Sequence, residues 1–472
     1  MYNLIYQVLI MILPLITTPY LSRALGAEKI GIYSYTFSIL SYFTLFGCLG
    51  IGLYGQREIA KVQENKEKRS KVFWELVILK AIMICISFIV YVIGFFNDQE
   101  YGIYYKILTI ELFSNAIDIT WLYQGLEDFK KITIRNAIVR LTSVALIFVF
   151  VKDENDLITY FFINGIANFI SHLSVWINLK KFISKVKIKE LNVIGHLKQT
   201  ILLFIPQVAI QIYTVLDKTM IGMILNDMTE VGYYEQAQKI VKMLLMVISA
   251  IGTVMIPRIA NLFANNQEDE LKNKIYKVFN MVAFIAFPIC LGLIGVAENF
   301  VPWFYGEEFG AITNLLHVFS FLLLAIGFNN ITGMQYLIAT QKQNVFTISV
   351  TIGAITNLLL NFILIPRFKG CGAAIASVTA ETVIFIVQVI YLRKTFNFKK
   401  IFFENIKYLI CSVVMFFAVN FVGKYLNANI YSTIIQVAIG GIIYVLGLLM
   451  TKDKILFDIL DIAKNTIKRR NV

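Results

Sequence analysis

Residues 73–96 read FWELVILKAIMICISFIVYVIGFF, a stretch in which Glu75 and Lys80 are the only charged residues. At about 1.5 Å of rise per residue, a helix of this length crosses the roughly 30 Å hydrocarbon core of a bilayer. Apolar runs of about 18 to 25 residues recur along the whole chain. This pattern predicts an all-α polytopic membrane protein.

The composition supports the same prediction. Of the 472 residues, 58% are hydrophobic and 15% are charged, whereas soluble domains carry roughly 45–50% and about 25%. A water-soluble globular fold is therefore excluded. The net charge of +13 comes mostly from Lys and Arg residues between the apolar runs. It indicates membrane topology and no nucleic-acid partner.

Fourteen apolar segments are predicted to span the bilayer. They are residues 3–21, 32–53, 73–96, 103–123, 134–151, 157–178, 200–225, 238–257, 278–297, 312–338, 345–365, 371–392, 405–423 and 431–450. The even-numbered loops and the C-terminal tail contain 31 Lys and Arg residues, and the odd-numbered loops contain 6. Because cytoplasmic loops are enriched in Lys and Arg, both termini are predicted to be cytoplasmic.

An internal repeat organises the predicted spans. A shift of 201 residues places Gly31 on Gly232, Tyr33 on Tyr234 and Arg57 on Arg258. Repeated halves are common in transporters. Four domains are predicted. The N-terminal six-helix lobe covers residues 1–178 and is followed by a basic cytoplasmic linker at 179–199. The C-terminal six-helix lobe covers residues 200–392, and a final helix pair with a basic cytoplasmic tail covers 393–472.

Charged residues inside the spans are candidate functional groups, because each costs roughly 2.5 to 3.5 kcal/mol at a helix centre. Arg140 lies near the middle of the fifth predicted span and Glu381 near the middle of the twelfth. The spacing of Glu111, Asn115 and Asp118 predicts one shared helix face. Polar groups in spans also form bonds that only hold a bundle together, so both interpretations stay open.

The sequence contains no motif for a cofactor. It has no phosphate-binding glycine loop with a lysine, no His/Cys metal spacing and no nucleophile with a partner base. His172, His196 and His317 stand alone in the sequence. No cofactor is expected, and an ATP-driven pump is disfavoured.

Three segments resemble those of a known transporter family. They are Arg23-Ala24-Leu25-Gly26 with Ile30-Gly31-Ile32-Tyr33, Asp217-Lys218-Thr219-Met220-Ile221-Gly222 with Val231-Gly232-Tyr233-Tyr234-Glu235-Gln236-Ala237, and Ile365-Pro366-Arg367-Phe368 with Gly370-Cys371-Gly372-Ala373-Ala374. The first resembles the polysaccharide transporters of the multidrug/oligosaccharidyl-lipid/polysaccharide exporter superfamily. The second is similar to the Wzx-type O-antigen and capsule flippases, and the third fits the same family.

The resemblance implies two six-helix lobes in a V-shaped arrangement plus two C-terminal helices, in the cytoplasmic membrane of a bacterium. The implied substrate is an undecaprenyl-diphosphate oligosaccharide, and other glycan-assembly membrane proteins are further candidate partners. A diphosphate crossing the bilayer needs cationic donors, and Arg suits phosphate geometry. The candidate substrate-binding residues are Arg23, Arg140, Lys218, Arg258, Lys80 and Lys239. The candidates for binding a coupling proton or sodium ion are Glu111, Asp118, Asp217 and Glu381.

Two other functions compete with this interpretation. A multidrug exporter of the same superfamily would expel organic cations, but the basic residues on buried faces disfavour it. A membrane polysaccharide polymerase or ligase would be an enzyme acting on the same lipid-linked sugars. Such an enzyme generally needs a sizeable external loop, and the predicted external loops are short.

Overall fold

The computed structural model describes residues 2–458 and 461 of the chain, without the side chains of residues 2–10, 129–131, 188, 205–207, 209–210, 212–214, 251 and 253–254. All regular elements in this part of the chain are helical. Contacts divide the chain into a first unit, Met1–Glu235, and a second unit, Gln236–Val472. The predicted lobe boundaries stay predictions, and so do the V shape and the cytoplasmic termini, which lie outside the described residues.

The first unit is built from ten helices that range from 4 to 47 residues in length, the tenth only in part. They are α1 (Tyr2–Cys48), α2 (Ile51–Lys61), α3 (Lys66–Phe95), α4 (Gly102–Ala116), α5 (Thr120–Gly125), α6 (Phe129–Phe150), α7 (Leu157–Ser174), α8 (Leu179–Phe182), α9 (Leu197–Leu225) and the start of α10 (Met228–Ala264). Four 3₁₀ turns lie at Glu154–Asp156, Val175–Asn178, Ile188–Glu190 and Ile194–His196.

The second unit continues α10 and adds five long helices. They are α11 (Glu268–Tyr305), α12 (Ala311–Asn330) with a π-helical continuation (Ile331–Ile338), α13 (Gln343–Leu392), α14 (Phe398–Gly423) and α15 (Ile430–Met450). A 3₁₀ turn at Glu307–Phe309 joins α11 to α12. Helix α14 packs against both α11 and α15 around Tyr408, Met415 and Val419.

Two predicted loops are kinks inside continuous helices. The predicted loop over residues 22–31 is helical apart from Gly26, whose φ is 69°. The connection between the eleventh and twelfth predicted spans is likewise a break at Lys369, whose φ is 51°, three residues after Pro366. Proline removes a helical hydrogen bond and a positive φ reverses the local turn, so both breaks redirect the chain without a loop.

Among the described residues, nine helices are long and apolar enough to cross a membrane, or ten if the bent α10 counts as one span. The chain is therefore a multi-pass membrane protein. This count treats Met11–Lys61 and Gln343–Leu392 as single helices of 51 and 50 residues. A straight helix of that length would extend about 75 Å, more than twice the hydrocarbon core. The predicted total of fourteen spans exceeds the count and stays a prediction.

The segment predicted as a linker, residues 179–199, is packed onto the first unit. The Arg69 guanidinium donates to the Phe182 carbonyl oxygen at 2.7 and 3.1 Å. The buried Glu75 carboxylate accepts from the Asn192 backbone N–H at 2.6 Å and lies 2.8 Å from His196 Nε2. His196 therefore does not stand alone, because its carboxylate partner comes from α3.

The two glycines matched by the repeat, Gly31 and Gly232, pack on each other. An added Cβ at Gly31 would lie 3.0 Å from the Gly232 nitrogen and would overlap the Met228 carbonyl oxygen. An added Cβ at Gly232 would lie 3.2 Å from the Gly31 nitrogen and would overlap the Ala27 carbonyl oxygen. Glycine is needed at both positions because the backbones of α1 and α10 approach too closely for any side chain.

Candidate functional site

A polar cavity of about 260 Å³ lies between α6 and α7 in the first unit. Its lining residues are Asn136, Val139, Arg140, Ser143, Asn164, Ala167, Asn168, Ser171 and His172. Seven of these nine residues carry polar side chains. Polar groups are expensive inside a bilayer, so a cavity lined by them is a candidate binding site.

Helical periodicity explains why these residues meet. On α6, Asn136, Arg140 and Ser143 follow one another at spacings of four and three residues, and on α7, Asn164, Asn168 and Ser171 do the same. Residues at these spacings share one helix face. Each helix therefore has one polar stripe, and the two stripes line the same cavity.

Arg140 is the cation of this cavity. It lies eleven residues after the start of α6 at Phe129 and ten before its end at Phe150, which places it about midway along the helix. Its side chain is exposed and makes no hydrogen bond or ion pair with any residue that the structure describes. The hydroxyl groups of Tyr33 and Tyr160 lie close enough to interact electrostatically with its charge.

A second cavity, of about 550 Å³, lies toward the start of α6 and is also lined by α5, by the end of α7 and by the 3₁₀ turn that follows it. It is lined by Tyr123, Ile132, Ile134, Arg135, Ile138, Val139, Ser174, Val175 and Asn178. Val139 borders both cavities. Arg135 and Arg140 therefore line two adjoining cavities along α6.

Glu111 contacts Asn168, one of the residues that line the polar cavity. Its two carboxylate oxygens accept hydrogen bonds from the Asn168 amide at 3.0 and 3.2 Å. The Asn115 amide donates to the Glu111 backbone carbonyl and so stabilises α4 locally. Helix α4 ends at Ala116, so the prediction that Asp118 shares a helix face with Glu111 and Asn115 is wrong.

Asp118 lies in the break between α4 and α5 and forms a cluster with Lys80 and His172. The Lys80 ammonium donates to the Asp118 backbone carbonyl at 2.9 Å and lies 3.9 Å from its carboxylate. His172 Nε2 lies 3.9 Å from the other carboxylate oxygen of Asp118. Lys80 is 4% exposed. Its charge is therefore compensated within the protein.

If Lys80 is structural, replacing it should destabilise the protein. We expect Lys80→Met to lower the free energy of unfolding by about 1–3 kcal/mol, because Asp118 loses its cation. The double variant Lys80→Met/Asp118→Asn should recover most of that loss, since no uncompensated carboxylate remains. Thermal denaturation in lipid nanodiscs measures both effects. A stable Lys80→Met protein that fails to translocate substrate would instead support the predicted substrate-binding role.

Lys218 and Asp217 each have a partner on the start of α10. The Lys218 ammonium donates to the Glu235 carboxylate at 2.9 Å, and Ser34 of α1 donates to the same oxygen at 3.1 Å. Asp217 is 1% exposed and accepts a hydrogen bond from the Tyr234 hydroxyl. These contacts join α1, α9 and α10 within the first unit.

The remaining predicted site residues are not among those that line the polar cavity. Arg23 is exposed on α1, three residues before the kink at Gly26, and donates to the Pro19 carbonyl at 3.1 Å. In the second unit, Arg258 is exposed on α10, and Lys239 donates to the Gln236 amide oxygen at 3.3 Å. Glu381 is 2% exposed and accepts from the Asn329 amide at 2.7 Å.

Sequence reasoning missed His172 and the cavity amides. The prediction that His172 stands alone is wrong, because Asp118 becomes its neighbour only through the packing of α7 on the end of α4. The amides Asn136, Asn164 and Asn168 carried a usable signal. Their spacing along the fifth and sixth predicted spans marks polar stripes in the way that Glu111 and Asn115 do.

Comparison with known proteins gives consistent matches along the chain. A family model described as polysaccharide biosynthesis protein matches residues 1–263, and one described as lipid II flippase MurJ matches residues 136–440. The putative O-antigen transporter of Escherichia coli (strain K12) is 27% identical over 401 residues, which cover 83% of this chain and 96% of that protein.

Two solved structures have a similar fold. The lipid II flippase MurJ in an inward closed conformation aligns with a TM-score of 0.72 at 18% identity, covering 96% of this chain and 98% of that chain. A multidrug resistance MATE family transporter in an inward-facing conformation aligns with a TM-score of 0.65 at 15% identity, covering 82% of this chain and 94% of that chain. This likeness shows a shared fold.

Proposed function

This chain belongs to the polysaccharide biosynthesis protein family, and we propose from that membership that it is a flippase for undecaprenyl-diphosphate-linked oligosaccharides. The membership confirms the resemblance seen in the sequence motifs, and it makes the chain a transporter and not an enzyme. The proposed reaction moves the repeat unit from the cytoplasmic to the outer leaflet by alternating access. The product serves surface polysaccharide biosynthesis in a bacterial cytoplasmic membrane.

The observation that carries this proposal is Arg140 in its polar cavity. A diphosphate is strongly anionic, and a guanidinium offers it two parallel hydrogen bonds. Arg140 has both its charge and its donors available among the described residues, about midway along a membrane-spanning helix. The surrounding amides and hydroxyls supply neutral hydrogen-bonding groups of the kind that sugar hydroxyls need.

The other predicted residues take secondary places in this proposal. Arg23 and Arg258 are exposed cations that can contact the diphosphate at other stages of the cycle. Lys218, Lys80 and Lys239 already hydrogen-bond to protein groups, so they would bind substrate only by exchanging those partners. The candidates for a coupling proton or sodium ion remain Glu111, Asp118, Asp217 and Glu381.

The proposed topology has fourteen spans with both termini in the cytoplasm. Each of the fourteen predicted segments is occupied largely by helix. Division of α1 at Gly26 and of α13 at Lys369 accounts for four of them. The distribution of Lys and Arg residues over the loops supports the orientation.

The multidrug exporter is the alternative with the same fold. An organic cation would be attracted by a carboxylate exposed in the cavity, whereas the charged lining residue here is an arginine. Glu111 is hydrogen-bonded to Asn168 and is not among the residues that line the cavity. The electrostatics of this cavity therefore favour an anionic substrate.

A strain lacking the gene tests the proposed function. We expect undecaprenyl-diphosphate oligosaccharide to accumulate on the cytoplasmic side of its membrane and to be redistributed when the wild-type gene is restored. Sidedness is measured by the access of an impermeant glycosidase to the lipid-linked sugar. Normal translocation in the deletion strain would refute the proposal, and sensitivity to cationic dyes with an intact surface glycan would support the exporter.

A further inference from the structure

His172 is the titratable residue among those that line the polar cavity. Its Nδ1 lies 2.9 Å from the Ser114 carbonyl oxygen, and its Nε2 lies 3.9 Å from the Asp118 carboxylate. The Ser114 hydroxyl oxygen also lies 2.9 Å from Nδ1. A charged histidine ring donates from both nitrogens, and the Ser114 carbonyl oxygen accepts from Nδ1. In the charged ring, Nε2–H faces the Asp118 carboxylate, which would stabilise the charge.

The charges around His172 come from three neighbouring helices and one break. The charged residues are Lys80 on α3, Glu111 on α4, Asp118 in the break after α4, and Arg135 and Arg140 on α6. The Cys48 thiol of α1 lies near Lys80 and Asp118. When His172 is neutral, the positive charge of Lys80 and the negative charge of Asp118 compensate each other. One proton on His172 gives the Lys80–Asp118–His172 cluster a net charge of +1, directly beside the cavity that holds Arg140.

We propose that the cavity binds an oxyanion and a proton together, the anion at Arg140 and the proton at His172. Added positive charge in the wall of the cavity strengthens anion binding. By thermodynamic linkage, the bound anion raises the proton affinity of the cavity to the same extent. The inference rests on the proposed function in one respect, which is that the anion is taken to be the phosphate group of a lipid-linked substrate.

This inference assigns the change of protonation to a residue outside the four predicted carboxylates. Glu111, Asp217 and Glu381 each accept a hydrogen bond from a neutral donor, and Asp118 lies beside the Lys80 ammonium. The Lys80 ammonium stabilises the charged form of Asp118. Compared with these four carboxylates, His172 is the residue type that ordinarily titrates between about pH 5 and pH 8.

The test uses the full-length protein in phosphatidylcholine nanodiscs, with inorganic sulfate as the probe because its charge is constant over the relevant pH range. We expect sulfate affinity to rise about fivefold or more from about pH 8 to about pH 5.5. Calorimetry in buffers of different ionisation enthalpy should show uptake of up to about one proton per bound sulfate. A pH-independent affinity without proton uptake would overturn the inference.

Three variants make the result specific. His172→Asn keeps a short side chain with a hydrogen-bond donor near Ser114 and should bind sulfate without the pH dependence. His196→Gln changes the histidine that contacts Glu75 and should keep the pH dependence of sulfate binding. Arg140→Gln should lose sulfate binding at every pH. Retention of the full pH dependence and proton uptake by a folded His172→Asn protein would overturn the inference.

Competition between sulfate and other anions shows which source of oxyanion the cavity takes. The outcomes also distinguish failure of this inference from failure of the proposed function. Displacement of sulfate by geranyl diphosphate, but not by phosphatidylglycerol added to the nanodisc, supports a site for the substrate's diphosphate. Displacement by phosphatidylglycerol supports an oxyanion site that takes lipid headgroups. Normal translocation in the gene deletion would refute the flippase and leave the sulfate result standing, whereas pH-independent sulfate binding would refute this inference and leave the flippase standing.

Discussion

Changing Arg140 to glutamine is expected to lower the rate of oligosaccharide translocation by about 100-fold or more. A bidentate contact between a guanidinium and a phosphate contains two charge-assisted hydrogen bonds, each worth about 1.5–3 kcal/mol. Glutamine fits the polar cavity but brings no charge to offset that of the diphosphate. The rate is measured in proteoliposomes as the exposure of a labelled lipid-linked oligosaccharide on the opposite leaflet.

Two further substitutions show whether the loss belongs to this position. Arg140→Lys keeps the charge without the paired donors, so an intermediate rate is expected. Arg393→Gln removes an exposed arginine just after the end of α13 and should leave the rate unchanged. If Arg140→Gln is as stable and as fast as wild type, Arg140 does not bind the substrate and the proposed site is wrong.

Hydropathy predicted most of the fold because a bilayer imposes a length on each apolar segment. The predicted span 431–450 corresponds to α15, Ile430–Met450, and 73–96 corresponds to the apolar part of α3, Lys66–Phe95. Helix continuity was not predictable in the same way. Residues between two spans can form a loop or a sharp kink with similar hydropathy, so hydropathy did not predict the positive φ of Gly26.

The candidate site was predictable only where one residue carries the signal by itself. Arg140 is recognisable because a charge near the centre of an apolar segment is unusual. Glu235, in contrast, shares helical spacing with Lys239, yet it pairs with Lys218 from the preceding helix. Such pairings depend on how helices pack, which periodicity within one helix does not determine.

Changing Gly31 to alanine is expected to prevent formation of a stable protein. The added methyl group would overlap the Met228 carbonyl oxygen and lie 2.6 Å from its carbonyl carbon. Overpacking against flexible side chains typically costs about 1–3 kcal/mol. Here the obstacle is the backbone of a helix held by the Lys218–Glu235 and Ser34–Glu235 contacts, so the cost lies at or above that range. Yield, monodispersity and thermal denaturation in detergent measure the effect.

Gly94 provides a matched control for Gly31, because it is also helical and an added Cβ there meets no atom within 4 Å. Alanine favours a helix by about 1 kcal/mol over glycine. Gly94→Ala should therefore be neutral or slightly stabilising, whereas Gly232→Ala should match Gly31→Ala, since its methyl group would overlap the Ala27 carbonyl. Equal stability of the Gly31→Ala and Gly94→Ala proteins would show that α1 and α10 do not need their close contact. In that case the packing of the two repeat-matched glycines would not be a requirement of the fold.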